Sequence, residues 1–98
     1  MRLLRNYSLE GLSGISHMFD FVLIDKEERT IVIDVASSQE VVERALSLKV
    51  RGYDVGASGC FLIVDKDIDY EVKELLNSIG VIIININRLD DLADFLRD

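Results

Sequence analysis

The chain has 98 residues, with 18 acidic and 11 basic side chains and a net charge of −7. This length is enough for one domain, residues 1–98, and a hydrophobic content of 49% is that of a folded chain. The acidic balance argues against a protein that simply coats nucleic acid, because such binding depends on cations that neutralise phosphates. The single cysteine, Cys60, excludes an internal disulfide and is typical of a reducing compartment, so we expect a cytoplasmic protein.

The charge is unevenly placed along the chain. Residues 1–53 hold 7 basic and 8 acidic side chains, whereas residues 54–98 hold 4 basic and 10 acidic ones. Any anionic partner, DNA included, is therefore expected to contact the first half of the chain. No apolar stretch approaches the roughly 20 residues of a membrane-spanning helix and no secretory signal opens the sequence, so we expect no membrane partner.

The first part of the chain predicts an antiparallel pair of strands. Residues 1–10 are mixed in period and leave a strand and a short helix both open, whereas residues 11–14 are typical of a loop. His17–Ile24 and Thr30–Ala36 are rich in β-branched and aromatic residues, and the charged segment 25–29 separates them. This pattern predicts a β-hairpin whose loop has five residues.

The rest of the chain predicts alternating helices and strands. The predicted elements are a helix from a Ser37–Glu40 capping box to Gly52, a strand over Cys60–Asp65, a helix capped by Asp67 or Asp69 and ended by Gly80, a strand over Val81–Ile86, and a last helix capped by Asn87. This order predicts an α/β sandwich with a mixed sheet, in which an N-terminal β-hairpin is followed by α, β, α, β and α elements.

Two aspartates lie in otherwise apolar strands of this hairpin. Centring the loop on Glu27 pairs Leu23 with Ile31 and, further along, Asp20 with Asp34. Like charges that lie directly opposite each other are destabilising, so a shared proton, a basic neighbour or a divalent cation must compensate them. Paired carboxylates are typical ligands of Mg²⁺, and the pair therefore predicts a magnesium site. The alternative is that both side chains point to solvent at the strand ends.

The residues Gly11–Asp20 and Ile31–Ala36, set in a hairpin–helix–strand context, resemble the restriction-endonuclease-like superfamily, the PD-(D/E)xK nucleases. They are most similar to archaeal and bacterial members of the Mrr and Holliday-junction-resolvase type, and the likeness covers roughly residues 11–65. It implies a restriction-endonuclease-like sandwich. It also implies that Asp20 is the first metal-binding aspartate and Asp34 the acid of the tripeptide, both of them catalytic and both ligands of Mg²⁺.

The sequence departs from this family at Ala36, where the tripeptide has a lysine. A residue two positions after Asp34 lies on the same face of the strand, so a lysine there would stand beside the metal and the attacking water. Its loss removes a stabilising charge from the transition state. Lys49, far along the next helix, is expected to lie too far away to substitute, whereas Arg44 is expected nearer.

Three functions follow from these patterns. We expect a nuclease-fold domain that is catalytically degenerate and serves binding, assembly or regulation, with DNA, a second copy or another protein as its partner. The alternative is an active Mg²⁺-dependent DNA endonuclease that uses Asp20 and Asp34 with a recruited basic residue. A third hypothesis is a small interaction module of flavodoxin-like topology without a metal site.

Four further residues are candidates for contacts with nucleic acid. Ser13 and Ser16 stand beside glycines and could donate hydrogen bonds to a phosphate, and Arg44 could supply a positive charge. His17 is expected at a strand edge, on the face opposite to Asp20, because strand alternation groups it with Phe19 and Phe21. The candidates are Ser13, Ser16, His17 and Arg44.

Overall fold

A computed structural model describes residues 1–88, which form a mixed five-stranded sheet with two α-helices. The strands lie in the order β1-β2-β3-β4-β5, with β1, β2 and β3 antiparallel and β3, β4 and β5 parallel. The elements are β1 (Arg2–Glu10), β2 (Ser16–Ile24), β3 (Thr30–Ala36), a 3₁₀ turn (Ser38–Glu40), α1 (Val41–Asp54), β4 (Gly59–Val64), α2 (Tyr70–Ser78), β5 (Val81–Asn85) and a second 3₁₀ turn (Ile86–Arg88). The predicted α/β class and mixed sheet are confirmed.

Residues 2–10 form a strand, so the predicted hairpin is not the first element of the fold. β1 pairs with β2 on both sides of Asn6, where the ladder is interrupted, and lies at one edge of the sheet. Its inward side chains, Leu4 and Leu9, are five residues apart rather than an even number, because Asn6 between them adopts a φ of 47°. This change of phase obscures the strand period in the sequence.

The predicted hairpin itself is confirmed, with its loop at residues 25–29. The carboxylate of Asp25 accepts hydrogen bonds from the backbone N–H groups of Glu27 and Arg29 at 2.9 and 2.8 Å, and from the Arg29 guanidinium. Burial raises the pKa of Asp25, but these bonds from Arg29 and Glu27 outweigh it and hold that pKa below its ordinary value. The loop is therefore closed by one charged side chain.

α1 packs on β3 and β4 through Val41, Ala45, Leu48 and Gly52. The helix starts after a 3₁₀ turn in which the Ser37 side chain makes no capping bond, so the predicted capping box is wrong. Gly52 was expected to end the helix, yet it lies inside it. Glycine is present at this position because α1 packs closely on β4: a Cβ atom on Gly52 would stand 2.5 Å from the sulfur of Cys60.

α2 begins where the sequence predicts. Asp69 caps it by accepting the backbone N–H of Glu71 at 3.0 Å, and Gly80 follows it with a φ of 95°. β4 and β5 agree with the predicted strands to within one residue at each end. The last predicted helix, after Asn87, lies outside the described residues. Neither α1 nor α2, the helices of residues 1–88, has the length and apolar character needed to cross a bilayer.

The sheet has an apolar cluster on each face. The larger one contains the inward residues of both helices, together with Phe19, Val22 and Val32. The smaller one contains Leu23, Ile33, Phe61 and Ile63 with Phe21 packed against it. Phe19 and Phe21 thus lie on different faces, contrary to the expected alternation, because β2 changes phase between Phe19 and Val22.

Replacing Gly52 by Ala tests the close contact between α1 and β4. We expect the free energy of unfolding to fall by about 1–3 kcal/mol, because the added methyl group is forced against Cys60. Urea denaturation measures the change. Gly59→Ala is the matched control, since its Cβ atom would meet nothing closer than 3.4 Å. This account would be contradicted if G52A and G59A lowered the free energy of unfolding equally. It would also be contradicted if G52A/C60A were no more stable than G52A.

Candidate functional site

Asp34 lies on the helix-covered face of β3. Its neighbours at two positions either side, Val32 and Ala36, belong to the larger apolar cluster, so its carboxylate points under α1. The residue is only 3% exposed. A buried carboxylate needs a cation or hydrogen-bond donors to remain ionised at an acceptable cost.

Arg51 of α1 supplies that cation. Its Nη2 atom donates to Asp34 Oδ2, Nη1 donates to the Met18 carbonyl at 2.8 Å, and Nε donates to the Ser47 hydroxyl at 3.0 Å. The guanidinium carbon also lies 5.0 Å from the centre of the Phe19 ring, within the range of a cation–π contact. Of the three compensations expected for the aspartate pair, Asp34 has a basic neighbour.

Asp20 and Asp34 link their strands through side chains. The regular β2–β3 ladder, in the predicted register, ends at the Phe21–Ile33 pair. Beyond it, the Asp20 backbone N–H donates to Asp34 Oδ1 at 3.0 Å, and the Val35 backbone N–H donates to Asp20 Oδ2 at 2.8 Å. Each aspartate side chain therefore accepts a bond from a backbone N–H group of the other strand, beyond the end of the regular ladder.

The arrangement does not fit a magnesium ion. Both oxygens of Asp34 accept hydrogen bonds, as does Oδ2 of Asp20, and the nearby Val35 carbonyl accepts one from Arg44 Nη2 at 3.3 Å. Mg²⁺ would have to share these oxygens with the donors already on them, and it would meet the positive guanidinium of Arg51. Within residues 1–88, no three or more His, Cys, Asp or Glu residues are grouped as metal ligands.

Ala36 stands where the nucleases that the sequence resembles have a lysine, and this position is closed to solvent. Ala36 is 4% exposed and packs in the larger apolar cluster. Lys49 does not turn to the aspartates, because its Nζ lies beside Gly80, only 2.8 Å from where a Cβ atom there would be. The basic group next to Asp34 is Arg51, two residues beyond Lys49.

Sequence reasoning missed Arg51, although a signal for it was present. Arg44, Ser47 and Arg51 are spaced i, i+3 and i+7, which places them on one face of a helix. That face borders the buried face of α1, and a long arginine side chain can reach from there to the underlying strand. Distance along the helix axis was therefore the wrong criterion, because the direction of the side chain decides the contact.

Ser13 and His17 both contact Asp54, the last residue of α1. The Ser13 hydroxyl donates to Asp54 Oδ2 at 2.6 Å, the Ser13 backbone N–H donates to Oδ1 at 3.0 Å, and His17 Nε2 lies 2.7 Å from Oδ2. The Ser13 hydroxyl, together with His17 and the Ser13 N–H, lowers the pKa of Asp54. These contacts fasten the β1–β2 turn to α1, so both candidates already bind a carboxylate of their own chain.

The other two nucleic-acid candidates lie at different ends of α1. Ser16 starts β2 opposite Glu10, close to the turn that contains Ser13. Arg44 lies ten residues before Asp54, which corresponds to about 15 Å along the helix. The structure thus groups Ser13, Ser16 and His17 but leaves Arg44 apart, close to Asp20 and Asp34, whose surroundings are called the aspartate corner below.

Comparisons with known proteins bear on the fold alone. No protein-family model matches the chain, and no curated protein matches it. Among solved structures, the crystal structure of a protein of unknown function, AF1548, is similar with a TM-score of 0.68 at 15% identity. The match covers 89% of this chain and 50% of that one, so this chain spans about half the length of its structural relative.

Replacing Arg51 by Met tests the ion pair. We expect the free energy of unfolding to fall by about 3–5 kcal/mol, because the Asp34 carboxylate is left buried without its cation. Urea denaturation measures this, with R44M as the control. Arg44 is exposed, and its loss should cost less than about 1 kcal/mol. In R51M/D34N, the decrease in the free energy of unfolding should be smaller than the sum of the decreases in R51M and D34N. A decrease equal to that sum would show that the two side chains are not coupled.

Acid titration tests the Asp54 contacts. Because the pKa of Asp54 is lower in the folded chain, its contribution to stability is present above the unfolded pKa of about 3.9 and is lost as the pH falls through the folded value. The melting temperature of wild type should therefore exceed that of D54N near neutral pH, with the difference shrinking below about pH 4. E43Q, an exposed acid on the same helix, is the control. A difference that stays constant with pH would rule this account out.

Proposed function

We propose that this chain is a domain of restriction-endonuclease-like lineage that no longer cleaves nucleic acid and serves binding, assembly or regulation. The observation that carries the proposal is the ion pair of Arg51 with Asp34. In the family that the sequence resembles, the acid at the position of Asp34 holds a metal ion. Here the same carboxylate is bound on both oxygens by groups of its own chain.

The order of the elements supports the lineage. An antiparallel pair, β2 and β3, is followed by α1 and then by β4, which pairs parallel to β3. This is the hairpin–helix–strand context on which the resemblance over residues 11–65 depends. The two acidic residues come from the adjacent strands β2 and β3, as the resemblance implies for Asp20 and Asp34.

The chemistry supports the loss of cleavage. Hydrolysis of a phosphodiester at a metal site needs a cation with open positions for water and phosphate. Ala36 cannot replace the lysine that would orient water, and each of the three nitrogens of the Arg51 guanidinium already donates a bond, to Asp34, Met18 or Ser47. The net charge of −7 also disfavours a broad phosphate-binding surface, so contact with DNA would use the less acidic residues 1–53.

The alternative function is an active Mg²⁺-dependent endonuclease in which a recruited arginine takes the role of the lysine. The observation in its favour is that the Arg51 guanidinium stands beside Asp34. For this function the guanidinium would have to release at least one of its partners when metal and substrate bind. The two functions differ in a single measurable property, which is cleavage.

Cleavage assays separate the two functions. Supercoiled plasmid and a four-way DNA junction are incubated with wild type and with D20N/D34N, in Mg²⁺ and in Mn²⁺. We expect no cleavage above the level of the double variant, because no metal is held at the aspartate corner. If wild type cleaves DNA in the presence of metal and D20N/D34N does not, the proposal is overturned and the alternative function is established. Junction binding by fluorescence anisotropy, measured without metal, tests the binding role separately.

A further inference from the structure

We infer that Arg51 is the resident cation of the Asp20–Asp34 corner and the residue that excludes divalent metal ions from it. The inference rests on the proposed function, in which metal-dependent cleavage is lost, and it assigns that loss to one side chain outside the family motif. Ala36 explains the missing lysine. Arg51 explains why the remaining carboxylates do not hold a metal.

Two effects oppose a metal ion at the aspartate corner: the positive charge of Arg51, and the hydrogen bonds that the Asp34 oxygens already accept. Arg51 Nη2 binds Asp34 Oδ2, and the Asp20 N–H binds Asp34 Oδ1, so a metal would have to share each oxygen of Asp34 with a donor that is already there. A divalent cation would also stand next to the positively charged guanidinium of Arg51. Repulsion between these like charges is strong because the Asp34 side chain is only 4% exposed and Arg51 only 18% exposed.

The guanidinium is held in place independently of Asp34. Its Nη1 donates to the Met18 carbonyl, its Nε donates to the Ser47 hydroxyl, and its plane contacts the Phe19 ring. These three contacts come from β2 and α1, so weakening the bond to Asp34 would not by itself release the arginine. A metal ion therefore competes with a positioned cation rather than with a mobile one.

A second arginine covers the adjacent backbone oxygen. Arg44 Nη2 donates to the Val35 carbonyl at 3.3 Å, but Arg44 is exposed and this bond is long. If exclusion came from general positive charge near the corner, loss of either arginine would relieve it. If it comes from occupancy of Asp34, only the loss of Arg51 should matter. R44M is thus the matched control for R51M.

Mn²⁺ binding tests the inference without any activity readout. Binding is followed by electron paramagnetic resonance of free Mn²⁺ and by the rise in melting temperature that a ligand of the folded state causes. We expect wild type and R44M to bind weakly and alike, whereas R51M should bind Mn²⁺ about tenfold more tightly or better, and R51M/D34N should lose that gain. R51Q, which removes the charge but keeps an amide donor, serves in place of R51M if circular dichroism shows that R51M does not fold.

The outcomes separate this inference from the proposed function. Mn²⁺ binding by wild type that D34N abolishes overturns the inference, as does a folded R51M or R51Q that binds no more tightly than wild type. If R51M or R51Q folds but binds Mn²⁺ no more tightly than wild type, the proposed function still stands, because the cleavage assay tests it separately. Cleavage by wild type would instead overturn the proposed function. A gain of binding in R51M or R51Q that requires Asp34 supports the inference.

Discussion

The ion pair between Asp34 and Arg51 is the interaction on which the architecture around the site depends. Asp34 is buried on β3, where a carboxylate without a partner would be costly, and Arg51 reaches it from α1. Through Met18 and Phe19, the same guanidinium also contacts β2. One side chain therefore connects a helix to two strands, and it ties α1, which packs on β3 and β4, to the antiparallel part of the sheet as well.

The second constraint is the break in strand pairing at Asp20. The β1–β2 ladder is interrupted at this level by Asn6 with its positive φ, and the β2–β3 ladder gives way to the carboxylates. Breaks of this kind recur beside functional sites, where they redirect side chains. Here the redirected chain turns Phe19 toward Arg51, so the break at Asp20 helps to hold α1 against β2.

Local chemistry explains which elements could be predicted from the sequence. The hairpin loop depends on Asp25 and its near neighbours, and the start of α2 depends on Asp69 and the N–H group two residues later. Both signals lie within a few residues of the structure they determine. The sequence does not define β1, because Asn6 shifts the period of the strand, and Gly52 does not end α1, because glycine is needed there for the contact with Cys60 across the core.

For the candidate site, the sequence by itself determined that two aspartates come from adjacent strands in one register, and that no lysine follows the second. Strand period and loop length suffice for this, since both act over short separations. Only the tertiary structure decided what the carboxylates bind. Arg51 is 17 residues from Asp34 along the chain, and its contact depends on how α1 crosses β3, which is set by packing of the whole core.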